Sequence, residues 1–279
     1  MRRPIRLNRS FCKKIWPGAP RGCPDPRRLL DAGISDREAN EILITMKIQG
    51  VFKTTWSDRF PETTRLLANR SIASPPVILD VGASDGCTSL SVMQAMPFSR
   101  YYVTDRHIEA HACTTRKGIF FCDDEAVPFM FANRFFVIYN EPHETSRAQS
   151  DIVGNLFAGF DMAKCREVRK VPLMNRALLP RLDDSVRLQR YDIFQPWPHE
   201  QADLVIAANI LNRDYFADAK LVDALRNLRG ALKDHGTLAV IENRPAEQSN
   251  TFRLEHGRFI VEDQIGPGSD IQALVTGLS

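Results

Sequence analysis

The sequence predicts an α/β protein: an open, mostly parallel sheet with helices on both faces. Three observations point there. The stretch Val77 to Gly86, V-I-L-D-V-G-A-S-D-G, runs from apolar residues through an acid into a glycine-bearing turn, the pattern of a buried parallel strand entering a helix. A second strand, Arg100 to Thr104, ends in Asp105 about 20 residues beyond the glycines, where a carboxylate is placed to accept both hydroxyls of a ribose. From Val186 onward, strand and helix patterns alternate again, as a parallel sheet requires.

In chain order, residues 1–28 carry nine basic residues (Arg2, Arg3, Arg6, Arg9, Lys13, Lys14, Arg21, Arg27, Arg28) against one acid, Asp25, with five prolines. Such a segment reads as an irregular arm, either solvated or in contact with an acidic partner, a phosphate-bearing substrate or a membrane surface. Residues 29–70 read as a helical extension. Ser35 and Glu38 form a capping box, Ala39, Ile42, Leu43 and Met46 recur on one face, Gly50 ends the helix, and Pro61 opens a second one. The main domain spans 71–279. An insertion at about 106–186 interrupts it after the second strand, and there the runs Gly118 to Cys122 and Arg134 to Tyr139 read as strands. An insertion at that point can shape a substrate pocket or an oligomer contact, and its emergence at the ligand end of the sheet favours the pocket. Val186 to Tyr191 is the third strand, Ala202 to Asn209 the fourth, Ala219 to Leu232 an amphipathic helix and Thr237 to Glu242 the fifth strand. Around His256-Gly257, alternating residues mark a hairpin.

The glycine turn decides the chemistry. Gly82 and Gly86 can take positive φ and leave no Cβ between the backbone and a ligand. A dinucleotide turn needs G-x-G-x-x-G for its pyrophosphate, whereas here Asp80 and Asp85 flank glycines four apart and suit a cation. The pattern D-x-G-x-x-x-G resembles motif I of the class I S-adenosylmethionine-dependent methyltransferases. That resemblance implies a Rossmann-like sheet of seven strands in the order 3-2-1-4-5-7-6, with S-adenosylmethionine as cofactor.

Carried onto this sequence, the resemblance implies that Asp80, Gly82, Ala83, Ser84, Asp85 and Gly86 form the cofactor turn. Asp105 and Arg106 stand at the ribose, Asp192 and Ile193 at the adenine, and Ala208 and Asn209 beside the cofactor. The segment T-W-S-D-R-F is similar to one in the chemotaxis receptor methyltransferases, and implies that Thr55 and Arg59 close over the cofactor, with Arg59 pairing the methionine carboxylate. N-I-L-N-R-D-Y-F is similar to the same family, though Tyr215 lies further along than the family's pattern has it. Asn209, Asn212 and Tyr215 are therefore the polar groups expected nearest the transferred methyl, as orienting groups.

The expected function is methyl transfer to a small molecule, a lipid or glycan intermediate, or a protein side chain. The alternative is an S-adenosylmethionine-binding regulatory protein without turnover. Gly82→Val is expected to weaken cofactor binding and leave the chain folded. A net charge of +3 carries no clear nucleic-acid signature. No apolar run reaches the ~20 residues of a membrane span and no signal-peptide core is present, so a cytoplasmic protein is expected. Six cysteines without a C-x-x-C pair read as free thiols, with neither zinc site nor disulfide framework.

Overall fold

The computed structural model describes residues 5–15, 22–48, 51–53, 58–70, 74–140 and 147–278. In chain order it contains β1 (Ile5–Leu7), α1 (Arg9–Ile15), α2 (Asp36–Leu43), β2 (Lys47–Ile48), β3 (Val51–Phe52), α3 (Pro61–Ala68), β4 (Val77–Val81), α4 (Cys87–Ala95) and β5 (Arg100–Asp105). Next come β6 (Glu109–Thr114), β7 (Ile119–Cys122), β8 (Pro128–Ala132), β9 (Phe136–Tyr139), α5 (Arg147–Ala158) and β10 (Glu167–Pro172). The chain ends with β11 (Val186–Arg190), β12 (Ala202–Ala208), α6 (Asp218–Ala231), β13 (Leu232–Asn243), β14 (Glu247–Glu255), β15 (Arg258–Ile265) and α7 (Gln272–Thr276).

It divides into two compact units, residues 1–54 with 109–177, and residues 55–108 with 178–279. The first holds an antiparallel sheet ordered β1-β9-β8-β7-β6-β10. One face packs Ala112, Phe121 and Met130 against Ala39, Ile42 and Leu43 of α2, and the other packs Phe120, Cys122 and Phe131 against Val153 and Phe157 of α5. Side chains alternate between the faces of a strand, which is why Phe120 and Phe121 part company. Two expectations are corrected here. The described part of the N-terminal arm is not irregular throughout, because Ile5, Arg6 and Leu7 pair with Ile138, Val137 and Phe136. The insertion holds five strands instead of two, beside the helix α5, because short hairpins satisfy the edge groups that the two apolar runs alone would leave open.

The second unit holds the sheet β11-β5-β4-β12-β13-β14-β15, a Rossmann-like α/β arrangement. β11, β5, β4, β12 and β13 are mutually parallel. The last two strands depart from the expected 7-6 order. The link Arg244–Ala246, closed by the Arg244 N–H donating to Ala246 C=O at 2.9 Å, is too short for a crossover, so β14 lies antiparallel beside β13. The His256-Gly257 turn, both residues at positive φ, then lays β15 outside β14. The order is thus 3-2-1-4-5-6-7.

Alternation also separates the helices. Phe252 and Leu254 share a core with Leu221, Leu225 and Leu228 of α6 and Val275 of α7. Ser249 and Thr251 face the other way: the Thr63 hydroxyl of α3 lies 2.8 Å from that of Ser249, and Arg70, just past α3, donates to Thr251 at 2.7 Å. Phe60 gives α3 no side-chain cap. Instead the Glu247 carboxylate accepts the N–H groups of Glu62 at 3.0 Å and Thr63 at 2.6 Å, a charge-assisted substitute for a cap worth about 1 kcal/mol.

Among the described residues no helix is long and apolar enough to cross a membrane. No cluster of His, Cys, Asp and Glu among them has the geometry to hold a metal.

Candidate cofactor and active site

β4 lies where the strand order reverses, with β5 on one side and β12 on the other, the switch point at which open α/β sheets bind ligands. Its last residue leads into Gly82 at φ 64°, Ser84 at φ 59° and Gly86 at φ 83°. Only glycine takes this region freely, and a serine held there stores roughly 1 kcal/mol or more of strain. Two bonds hold it: the Ala83 N–H donates to Thr104 C=O at 2.8 Å and the Ser84 N–H to the Asp105 carboxylate at 2.9 Å. Asp105 also accepts the His107 N–H at 2.8 Å, so one carboxylate joins the turn to the end of β5. Asp85 accepts the Cys87 N–H at 2.9 Å and starts α4.

Asp80 does not face the crevice. It is fully buried and accepts from Ser89 at 2.6 Å and Tyr101 at 3.1 Å through one oxygen, while the other has no donor among the described residues. Burial, helped by the negative charge of Asp105, pushes its carboxyl up to about 6 against the pull of those two hydroxyls. An unfolded aspartate titrates near 3.8, so as pH rises from about 4 to about 6 the unfolded chain gives up a proton that the folded chain retains, and this contribution to stability is lost. Asp80→Asn keeps an acceptor for both hydroxyls. Its stability relative to the parent is expected to rise by on the order of 2–3 kcal/mol between about pH 4 and about pH 7. Denaturant unfolding at both pH values reads this, and a constant difference contradicts it.

Asp192 follows β11, the strand beside β5, where its carboxylate accepts the Phe194 N–H at 3.0 Å and lies 3.9 Å from Arg106. Ile193 is buried in the core, and its carbonyl accepts from Asn227 at 3.0 Å. At the end of β12, Ala208 is half-buried and Asn209 stands at φ 56°. The Asn209 side-chain oxygen accepts the Asn243 N–H at 3.1 Å, and its amide nitrogen is buried with no partner among the described residues. Asn212 is spent on its own loop, donating to Asn209 C=O at 3.0 Å and accepting the Asp214 N–H at 3.0 Å. Tyr215 is 47% exposed. Burial pushes the Arg59 guanidinium down, opposed by the neighbouring Tyr215 hydroxyl. Arg59 lines a groove of about 420 Å³ with Thr64, Thr88, Ser91 and Gln94. Thr55 lies outside the described residues.

One feature of the turn escapes the sequence. A Cβ on Gly82 would come within 2.3 Å of Ile210 Cδ1, so the room left by this glycine is taken by a side chain from the β12 end. Nothing in an apolar residue following Asn209 announces that contact.

No family model and no curated protein matches the sequence. Three similar solved structures are human N-acetylserotonin methyltransferase in complex with S-adenosylmethionine, a putative S-adenosylmethionine-dependent methyltransferase from Methanococcus maripaludis, and a methyltransferase of calicheamicin biosynthesis with S-adenosylhomocysteine bound. All three are methyltransferases by their descriptions. The human enzyme is 18% identical with a TM-score of 0.36, and the match covers 75% of this chain and 39% of that one. For the archaeal protein the values are 14%, 0.34, 66% and 55%, and for the calicheamicin enzyme 17%, 0.33, 65% and 34%. The chain thus spans from about a third to just over half the length of these proteins. The likeness concerns the fold.

Proposed function

We propose that the second unit binds S-adenosylmethionine and transfers its methyl group. The observation that carries this reading is the joined pair of turn and acid, the strained Ser84 N–H bonded to Asp105, with Asp192 just past the end of the adjacent strand. Carboxylates at two neighbouring strand ends suit a ribose diol and an exocyclic amine, and they disfavour a pyrophosphate. In this reading Asp105 accepts the ribose hydroxyls, Asp192 accepts from the adenine, Arg106 steadies Asp192, and Ala83, Ser84, Asp85 and Gly86 form the cradle. Arg59 pairs the methionine carboxylate, and with Thr55 before it closes over the cofactor. Ile210 has to swing off Gly82 for that end to settle against the turn.

S-adenosylmethionine brings a methyl already activated on sulfur, so the protein's work is alignment and exclusion of water. Asn209, whose amide nitrogen has no partner among the described residues, orients the acceptor, and Tyr215 closes the mouth from the β12 loop. Asn212 holds Asn209 in place, acting through it. Small molecules, lipid or glycan intermediates and protein carboxylates are all acceptors of suitable chemistry. Calorimetry with S-adenosylmethionine and S-adenosylhomocysteine, followed by a labelled-methyl release assay over acceptor pools, tests the proposal. Binding together with labelled product is expected. Absence of binding by either ligand overturns the whole reading, and binding without product from any pool favours a regulatory protein that keeps the cofactor.

A further inference from the structure

The first unit presents a rigid apolar tip beside cationic side chains. At the β8–β9 hairpin, Asn133 Oδ1 accepts the N–H groups of Phe135 at 2.8 Å and Phe136 at 2.9 Å. Beneath it Asn8, fully buried, donates its N–H to Phe135 C=O at 2.8 Å and its side-chain amide to Asn133 C=O at 3.0 Å. A tip fixed by four such bonds displays its rings in one arrangement.

Those rings are not tucked away. Phe136 is 38% exposed, and Leu7, its register partner across the sheet edge, is 48% exposed. Phe135 packs edge-on against Phe11 of α1 with ring centres 4.9 Å apart, so Leu7, Phe136, Phe135 and Phe11 form one contiguous strip. The exposed Arg134 lies over the Phe135 ring at 4.3 Å, and Lys14 follows Phe11 by one helical turn on the same side of α1. Up to Lys14 the chain holds six basic residues and no acidic one. An exposed apolar strip in a soluble unit marks a surface that something covers. Aromatic and aliphatic side chains rimmed by Arg and Lys match the acyl boundary of a bilayer beneath anionic headgroups.

From this we infer that the Phe135–Phe136 tip and the adjoining α1 face dock on an anionic membrane surface, the rings entering the interface and Arg134 and Lys14 meeting the headgroups. The inference is independent of the methyl-transfer reading. It is tested by sedimenting the full chain with vesicles of phosphatidylcholine alone and of phosphatidylcholine mixed with phosphatidylserine. Binding is expected only to the mixed vesicles, weakened by salt, and Phe135→Ser with Phe136→Ser lowers it roughly tenfold or more. A Phe135→Trp variant gives a second reading that does not depend on the double variant folding, since its emission shifts to the blue on adding mixed vesicles. No sedimentation with either vesicle, unchanged binding by a folded double variant, or an unshifted tryptophan overturns the inference. So does binding of a single-stranded oligonucleotide in place of vesicles, lost with the same two phenylalanines.

Discussion

Asp105→Ala is expected to lower the affinity for S-adenosylhomocysteine about 100-fold, as read by calorimetry on the folded protein. The magnitude follows from two hydrogen bonds between ribose hydroxyls and a carboxylate, each worth about 1.5 kcal/mol because one partner is ionised. Together they amount to about 3 kcal/mol, a little over two decades in affinity. The same carboxylate receives the Ser84 and His107 N–H groups, so the variant also loosens the turn and should unfold at a lower temperature. Asp105→Asn keeps one oxygen and loses the charge, and because Ser84 and His107 donate to different oxygens of the carboxylate it also gives up one of those two bonds. Both its affinity and its unfolding temperature should fall between those of the parent and the alanine variant. Equal affinity across all three proteins would place the ribose elsewhere.

Gly82→Val is expected to destabilise the chain by about 3–5 kcal/mol. A β-branched residue at φ 64° costs roughly 1–3 kcal/mol. Overpacking against Ile210, whose Cδ1 lies 2.3 Å from the new Cβ and whose own Cβ lies 3.1 Å from it, adds a similar amount. The sequence alone led to a different expectation, weakened cofactor binding in an intact fold, because a missing Cβ there reads as room for a ligand. Gly82→Ala should lose only about 1–2 kcal/mol, as the far end of Ile210 can rotate away. In an Ile210→Ala background the packing part of that loss disappears and the backbone part stays, a coupling on the order of 1 kcal/mol between the two sites. Additive losses in urea unfolding would mean that Ile210 and Gly82 do not press on each other.

What was legible in the chain was local. The apolar run into Gly82, the acid closing β5, Pro61 opening α3, the Ser35 side chain accepting the Glu38 N–H, and the two positive-φ residues of the last hairpin all follow from neighbours a few residues apart. Features that depend on distant partners were hidden. Ile5 to Leu7 looks like part of a proline-rich arm until Phe136 to Ile138 supplies its hydrogen bonds. The 7-6 strand order failed because a three-residue link, which sequence reads only as a turn, rules out the crossover. Asp80 reads as a ligand-facing acid, yet its direction is set by Ser89 and by Tyr101, which arrives from another strand.

The pairing of β1 with β9 also bears on how the chain is made. Ile5 leaves the ribosome about 130 residues ahead of its partner Ile138. At ordinary elongation rates of ~5–20 residues per second, the opening strand waits roughly 7–26 s with its edge uncovered. In that interval β4, α4 and β5 emerge, yet β12 and β13, their partners on the other side of the parallel sheet, are still unmade. Neither unit can close before the other is partly built, which makes the nascent chain a natural client for chaperones that shield unpaired strands.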